Sequence, residues 1–554
     1  METTPAPTRP KDRGTWRFDP WSTGAIAIAV LVILPILAVF WMALNPAENI
    51  WPHLMSTTLP RYLRNTVTIV LGVGVLAAGM GTGAAWLVTM YRFPGSRLLQ
   101  WMLLLPLAIP AYVGAYALVD FLEYAGPVQT GMRALFGWQN ARDYWFPEIR
   151  SQGAAILVLA SALFPYVFLF VRTALREQSG TTYEVSRALG AGAMARFFRV
   201  GLPLTRPAIA AGSAIVMMEA ISDFGAVSYF SVQTLTTGIF TVWLEAGNRG
   251  GAAQIASLVL IGVVALVALE KTGRGRSRYF ASSRQNRPIE ALALTGPQAW
   301  FASILCAIPL LLGFVLPVGV ILSHAIDNAA RWLDPGLIQA FLNTLMVGGI
   351  AAMATVLGAI FMVYGVRIKS RRLTKMLLPM TSVGYAAPGA VLGIGILFPL
   401  SRMDHGLADL IENVTGRDVG LVLTGTAFAI IFAFFVRFFA IAQGALDSAF
   451  GRVSPSLPMA SRSLGKTAGG TLHRLYIPLI RGSVATALLL VFVDCVKELP
   501  ATLLLRPFNF DTLATRVYEN ASLEQIGSAS PAALLVILVG LLAVFLLARS
   551  QRSG

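Results

Sequence analysis

The sequence predicts an all-α, polytopic membrane fold in which two six-helix units follow one another along the chain. Three observations lead there. Hydrophobic residues make up 56% of the 554-residue chain, charged residues only 13%, and mean hydropathy is +0.68. A soluble chain of that composition could not cover its apolar surface with polar groups, so lipid has to be its solvent. Apolar stretches long enough to cross hydrocarbon as helices, about 20 residues each, recur through the whole sequence. The second half of the chain also repeats the punctuation of the first at a nearly constant offset.

Taken in order, the expected spans lie near 24–44, 65–90, 101–122, 153–175, 207–224 and 252–270, then near 300–322, 343–366, 376–400, 420–442, 482–496 and 530–548. They divide the chain into an N-terminal tail (1–23), a first unit (24–270), a basic linker (271–298) and a second unit (299–554). Arg9, Lys11, Arg13 and Arg17 precede the first span as in a secretory signal. Its length and the lack of a small-x-small cleavage site predict a retained signal anchor. Asn65-Thr66, opening the second span, is answered by Asn343-Thr344, and Leu105-Pro106 and Pro110 by Leu378-Pro379 and Pro388. Those prolines predict a kink in the third span of each unit, where neighbouring helices can satisfy freed carbonyls. Gly79 and Gly83 have the small-x3-small spacing of a close helix contact. Trp41, Trp51, Trp138, Trp145 and Trp332 fall near the expected outer interface, as aromatic belts do. The linker, with Lys271, Arg274, Arg276, Arg278, Arg284 and Arg287, reads as a tether. Cys306 and Cys495 are too few for a disulfide framework and read as small apolar fillers.

The net charge of +16 raises the question of nucleic acid, but its distribution answers it. With a cytoplasmic N-terminus, most of the 43 Lys and Arg lie in tails and loops on the cytoplasmic side, as the positive-inside rule requires. Six crossings return the chain to its starting side, so both units have the same orientation. Parallel repeats imply a pseudo-twofold axis along the membrane normal, with a path between the halves.

The most telling repeat sits in two polar loops. Glu184-Val-Ser-Arg187-Ala-Leu189-Gly190 runs on to Leu202-Pro203, and Met459-Ala-Ser-Arg462-Ser-Leu464-Gly465 runs on to Ile477-Pro478. Bilayer solubility demands no particular sequence there, so the echo indicates a docking surface present twice. In the second copy Arg462, Lys466 and His473 fall on one side at 100° per residue, with Leu464, Ala468, Leu472 and Leu475 roughly opposite. That predicts a short surface helix with its apolar stripe on the bundle and its polar stripe offered to a partner. Gly465, Gly469 and Gly470 would weaken such a helix by up to about 1 kcal/mol each, a cost that close approach of another protein would explain. Pro203 and Pro478 are expected to stop the segment.

Charged residues inside apolar spans cost at least about 2.5–3.5 kcal/mol each. Glu219 and Asp223 in the fifth span have counterparts 275 positions on, Asp494 and Glu498, and Lys497 adjoins the last. Four carboxylates facing one another across the axis could pass a cation; alternatively they cap broken helices, or pair with Lys497 and loop amides. His53, His324, His405 and His473 are scattered and set up no metal site. No Gly-x4-Gly-Lys-Ser/Thr loop is present, so energy has to come from another polypeptide. No nucleophile constellation supports an intramembrane enzyme.

The pattern Glu184-Val185-Ser186, Gly190, then Val200-Gly201-Leu202-Pro203, with its second copy at Met459-Ala460-Ser461, Gly465 and Leu475-Tyr476-Ile477-Pro478, resembles the signature of the membrane subunits of binding-protein-dependent ABC importers. The resemblance covers essentially the whole chain, as a fused pair of permease domains. It implies that each segment is a coupling helix held by one of two cytoplasmic ATPase subunits. It further implies that ATP and magnesium are used by that partner with no cofactor bound by this chain, that an extracytoplasmic binding protein delivers the solute, and that both termini of this inner-membrane protein are cytoplasmic. Glu184, Arg187, Leu189, Gly190 and Pro203 would serve one ATPase, and Met459, Arg462, Leu464, Gly465 and Pro478 the other. Met459 departs from the family's leading acid, so any ion pair of Glu184 lacks a counterpart and docking is expected to be unequal. The stretches Asp223-Phe224-Gly225 and Lys497-Glu498-Leu499-Pro500 through Phe508 look like those of ferric-iron importer permeases, with close relatives for thiamine, aminoalkylphosphonate and polyamines. Ferric iron is therefore the expected solute. An ion-coupled secondary transporter is the rival, and it leaves the matched loops unexplained.

Overall fold

The computed structural model describes residues 20–275, 289–368, 377, 378, 380, 381, 384, 387–417 and 420–550, with side chains up to 270 and 546 at the ends of two helices. The long helices of the first unit are α1 (Pro20–Leu44), α2 (Leu59–Met90), α3 (Ala111–Leu122) and α4 (Gln152–Glu177). They are followed by the short α5 (Gly180–Ala188), then α6 (Leu202–Ser222) and α7 (Arg249–Gly275). The second unit runs through α8 (Pro297–Asp327), α9 (Pro335–Ile368), α10 (Gly389–Thr415) and α11 (Ala427–Gly451). The short α12 (Ser456–Ser463), α13 (Ile477–Lys497) and α14 (Ile526–Ser550) complete it.

Among the described residues ten helices are long and apolar enough to cross a membrane, or eleven if one bent pair counts as a span. Two of the twelve expected spans account for the difference. The third breaks at Ile109, whose backbone is extended because the residue before a proline is driven out of helical geometry; the chain turns through 96° and resumes as α3. The expected 376–400 span falls partly outside the described residues, as does Pro379, while Pro388 stands at the N-terminus of α10. The expected contact at Gly79 and Gly83 is not made: a Cβ at either would meet nothing within 4 Å. The close approach of α2 to α4 lies two residues along, at Gly81, where a Cβ would come within 2.7 Å of Val167.

The halves exchange their first spans. Helix α1 packs on α7 but also on α9 and α10 of the second unit, and α8 packs on α3 and α4 of the first unit as well as on α14. Two glycines permit this: a Cβ at Gly395 would collide with the Pro35 carbonyl of α1, and one at Gly313 with the Ser161 carbonyl of α4. Such small residues let backbones approach where lipid supplies no hydrophobic drive between helices. Cys306 and Cys495 are free, buried thiols, as expected of fillers.

The repeated Asn-Thr pair has a matched structural use. Asn65 Nδ2 donates to the Gln233 carbonyl and Asn343 Nδ2 to the Asp511 carbonyl, both at 2.9 Å. Thr66 Oγ1 accepts from the Leu235 amide and Thr344 Oγ1 from the Leu513 amide. In each half the pair fastens the start of the second span to a short helix opened by a threonine capping box, Thr234/Thr237 or Thr512/Thr515.

The linker is more than a tether at its far end. Strand β1 (Tyr91–Arg92), continuing from α2, pairs in parallel with β2 (Leu292–Ala293), and the Leu294 amide donates to the Arg92 carbonyl at 2.9 Å. The basic residues of the linker from Arg276 to Arg287 lie outside the described residues.

Candidate functional site

The two matched loops have the same backbone. Helix α5 ends at Leu189 and Gly190 follows with φ 80°; α12 ends at Leu464 and Gly465 follows with φ 77°. The Gly190 amide donates to the Arg187 carbonyl and the Ala191 amide to the Ser186 carbonyl; Gly465 and Lys466 repeat this with Arg462 and Ser461. This is a glycine-terminated helix end, in which a left-handed residue lets the next amides turn back onto orphan carbonyls. Gly190 and Gly465 therefore serve φ, whereas Gly469 and Gly470 do not have a left-handed φ. One continuous helix was expected, with Leu464 packed on the bundle; instead the chain turns at Gly465, and Leu464 is 80% exposed, as Leu189 is 82%. Glu184, Arg187, Met459 and Arg462 are exposed beside them.

Beyond each turn the chain widens into a single π turn, Phe197–Gly201 or Leu472–Tyr476, that leads directly into α6 or α13. Pro203 and Pro478 occupy the first turn of those helices, where a missing amide is harmless. They start the next span rather than stop the loop. The loops rest on matched aromatic bearings. In the first half Trp86 packs edge-on to Tyr183 and Phe197, and the absent side chain of Gly201 makes room for it. In the second, Tyr364 packs on Tyr476 and donates from Oη to the Ala468 carbonyl at 2.5 Å. Burial pushes the Tyr183 phenol up to about 12, so it stays a neutral donor to Gln178. Both loops lie at one end of the bundle, with Trp21 at the start of α1 stacked on Phe361 beside the second.

The intramembrane charges meet in a cavity of about 190 Å³ between the halves, lined by Glu219, Ser222, Asp223, Arg437, Asp494, Lys497 and Glu498 with Tyr112 and Tyr166. All five residues singled out in the sequence reach it. Asp223 Oδ1 accepts from the Ala226 and Val227 amides at 3.0 and 3.1 Å, and Glu498 Oε1 from the Ala501 amide at 3.1 Å. These two carboxylates cap the short helices after α6 and α13, as one of the two sequence readings proposed. Lys497 crosses the interface, its Nζ donating to the Leu107 carbonyl at the break in the third span at 2.6 Å. Among the described residues no cluster of three or more His, Cys, Asp or Glu could hold a metal ion.

A family profile described as the binding-protein-dependent transport system inner membrane component matches residues 71–270 and again residues 354–553. The chain belongs to that family. As a member of it, this permease is a multi-pass inner-membrane component of a transport system. It is 27% identical over 510 residues to the Fe(3+)-transport system permease protein FbpB 2 of Haemophilus influenzae, covering 89% of this chain and 90% of the relative. It is 23% identical to the ferric transport system permease protein FbpB of Actinobacillus pleuropneumoniae, over 88% of this chain and 72% of that one. The molybdenum transport system permease protein ModB of Escherichia coli matches at 29% identity, but over 34% of this chain and 86% of its own length.

Sequence reasoning missed one charged residue of the permease's cavity, as well as Ser222, Tyr112 and Tyr166. Arg437, midway along α11, places Nε 3.2 Å from Glu498 Oε2, and its buried Nη1 makes no hydrogen bond among the described residues. The cost of an intramembrane charge, applied to the span 420–442, was signal enough to find it. Gly389, opening α10, is needed beside it, since a Cβ there would collide with Glu498.

Proposed function

We propose that this permease is the translocation subunit of an ATP-driven importer of ferric iron, worked by two cytoplasmic ATPase subunits and supplied by an extracytoplasmic binding protein. The observation that carries the importer reading is the pair of exposed, glycine-terminated loops with equal geometry at one end of the bundle. Each is joined without interruption to a helix that reaches the central cavity. A motor pulling on Leu189 and Leu464 would act through α6 and α13 on the cavity wall. Glu184, Arg187, Gly190 and Pro203, with Met459, Arg462, Gly465 and Pro478, are the coupling residues in this reading. Both termini are cytoplasmic, and ATP with magnesium is bound and hydrolysed by the partner subunits.

Ferric iron is supported by relatives that cover 88–89% of the chain and whose names specify iron; the central cavity is lined by four carboxylates and two cations. Relatives named for molybdenum and sulfate cover less than half of the chain. Glu219, Asp223, Asp494, Lys497 and Glu498 are the path residues. The test is uptake of radioactive ferric iron into proteoliposomes holding the permease with its ATPase and binding protein. ATP-dependent iron uptake that is abolished by Glu219→Gln or Asp494→Asn, with assembly intact, is the expected result. Uptake without any ATPase would favour the ion-coupled rival.

A further inference from the structure

From the cavity wall a column of side chains runs to the end of the bundle away from the matched loops. Tyr112 lines the cavity, and Tyr116 follows one turn along α3 with ring centroids 5.9 Å apart. Tyr116 meets Tyr229 edge-on at 4.4 Å, and the Arg150 guanidinium lies over the Tyr229 ring, 5.3 Å from its centroid. Arg150 caps the column with two ion pairs. Its Nε is 3.0 Å from Glu123 Oε1 in its own half, and its Nη2 is 2.8 Å from Glu524 Oε1 in the other half. Arg150 precedes α4, whereas the first matched loop follows that helix, so the cap lies at the opposite end. Tyr229 closes the short helix Gly225–Tyr229, whose amides Asp223 caps inside the cavity. A Cβ at Gly225 would come within 2.7 Å of Tyr112, so the column is seated directly on that helix.

This cap is built once, not twice. Arg150 stands two residues before α4 and Glu524 two residues before α14; the matching positions before α11 and α7 are Gly425 and Gly247. Gly247 has φ 64° and Glu524 has φ 60°. The turn into the last span thus needs a left-handed residue in both halves, and the second half supplies a glutamate where glycine would be free of strain. What the glutamate adds is a carboxylate, and its ion partner is Arg150 across the boundary between the halves. We propose that Arg150 and Glu524 are the outer latch of the permease, holding the halves together above the tyrosine column and parting when the cavity opens to the outside. The proposal rests on the importer reading, with the matched loops at the inner end, and not on the choice of solute. A largely exposed ion pair is weak, and the strained backbone of Glu524 opposes it further, so the latch is close to balance and can yield in every turnover. The other ion pair between the halves, Asp120 with His324 at 2.8 Å, belongs to the seat of α8 on α3.

The test measures the width of the outer mouth in the full complex, reconstituted without nucleotide. Nitroxide labels are placed at Trp145→Cys and Phe508→Cys, two exposed positions, one in each half, while the buried Cys306 and Cys495 stay in place. Pulsed electron resonance then gives the distribution of label distances. Arg150→Gln and Glu524→Gln are each expected to enlarge the long-distance population by about two- to fivefold, the scale of one exposed ion pair. Arg150→Lys should restore most of the short-distance population. Glu524→Gly, which relieves the backbone but removes the acid, should open the mouth as far as Glu524→Gln does. Glu123→Gln leaves the pair between the halves intact and should have the smaller effect. Unchanged distances in R150Q and E524Q, or equal opening by E123Q and E524Q, would overturn the latch while ATP-driven uptake by the wild-type complex still supports the importer reading. A wild-type complex with no ATP-dependent uptake overturns both.

Discussion

At the scale of single residues, Gly190 and Gly465 do the most with the least. Their φ values of 80° and 77° lie where a side chain costs about 1–2 kcal/mol, and a β-branched one more. Gly190→Val or Gly465→Val should therefore deform the loop end without touching the buried bundle. Uptake is expected to fall severalfold while ATP hydrolysis and yield of folded protein change little, as checked by uptake per ATP hydrolysed in proteoliposomes. Unchanged coupling in both variants would remove these turns from the mechanism. The need for glycine was visible in the sequence, but its cause was not. A period of 100° per residue assumes an unbroken helix, and the left-handed turn at Gly465 resets the phase, which is why Leu464 points to solvent rather than to the bundle. Charge was more legible: polar atoms in apolar spans are costly wherever the fold puts them, so Glu219, Asp223, Asp494, Lys497 and Glu498 could be gathered from sequence before any geometry was known. Met459 is the point at which the second loop lacks the acid of the first. Its groove is lined by Arg367 and Arg462 without an acid, whereas that of Glu184 is lined by Arg187, Arg196, Glu184 and Glu290. Met459→Glu should even the two docking sites and tighten ATPase binding at the second, measurable as a lower concentration of ATPase needed for half-maximal assembly.

At the scale of elements, fastening matters more than helix propensity. Asp404, fully buried on α10, receives the Val422, Leu423 and Thr424 amides at 2.6–3.0 Å and the Thr424 hydroxyl. It thereby fixes the loop that leads to the Thr426 cap of α11. Burial alone would raise its carboxyl, but the Thr424 hydroxyl and the three amides outweigh burial and hold it at about 2. The sign follows directly. A carboxyl whose pKa is lower folded than unfolded contributes stability that is complete above the ordinary value near 4 and vanishes as pH falls toward 2. Asp404→Asn is expected to cost about 1–3 kcal/mol at pH 7 by leaving buried amides poorly matched. The gap between mutant and wild-type melting temperatures in detergent should close between pH 4 and pH 2, and a gap independent of pH would refute the assignment. None of this was readable in advance, because Asp404 and its donors lie 18 to 20 positions apart across a turn with no motif. By contrast the Asn-Thr latches announced themselves, since the same pair recurs at the head of the same span.

At the scale of the whole molecule, the repeat was legible and the exchange of first spans was not. Hydropathy says that α1 and α8 are lipid-soluble; it carries no information about which neighbours they choose. That choice is made by backbone approach, at Gly395 over Pro35 and Gly313 over Ser161, and a single glycine in an apolar run has no distinctive pattern. The exchange has a mechanical consequence. With the first span of each half seated on the other half, the two halves are clasped together by α1 and α8. Covalent continuity through the linker is then dispensable. If the chain is divided between residues 280 and 281 and the two pieces are produced together, they should copurify in mild detergent through α1 on α9 and α10, α8 on α3 and α4, and β1 on β2. Transport by the divided protein should stay within about twofold of the intact chain, since non-covalent packing of several spans exceeds the entropic help of one covalent connection. Adding Gly395→Leu and Gly313→Leu, which force α1 and α8 off their seats, should separate the pieces of the divided protein. The intact chain bearing the same substitutions should stay associated but lose uptake. Pieces that part without those substitutions would mean that the linker, and not the exchanged helices, holds the two halves around their common path.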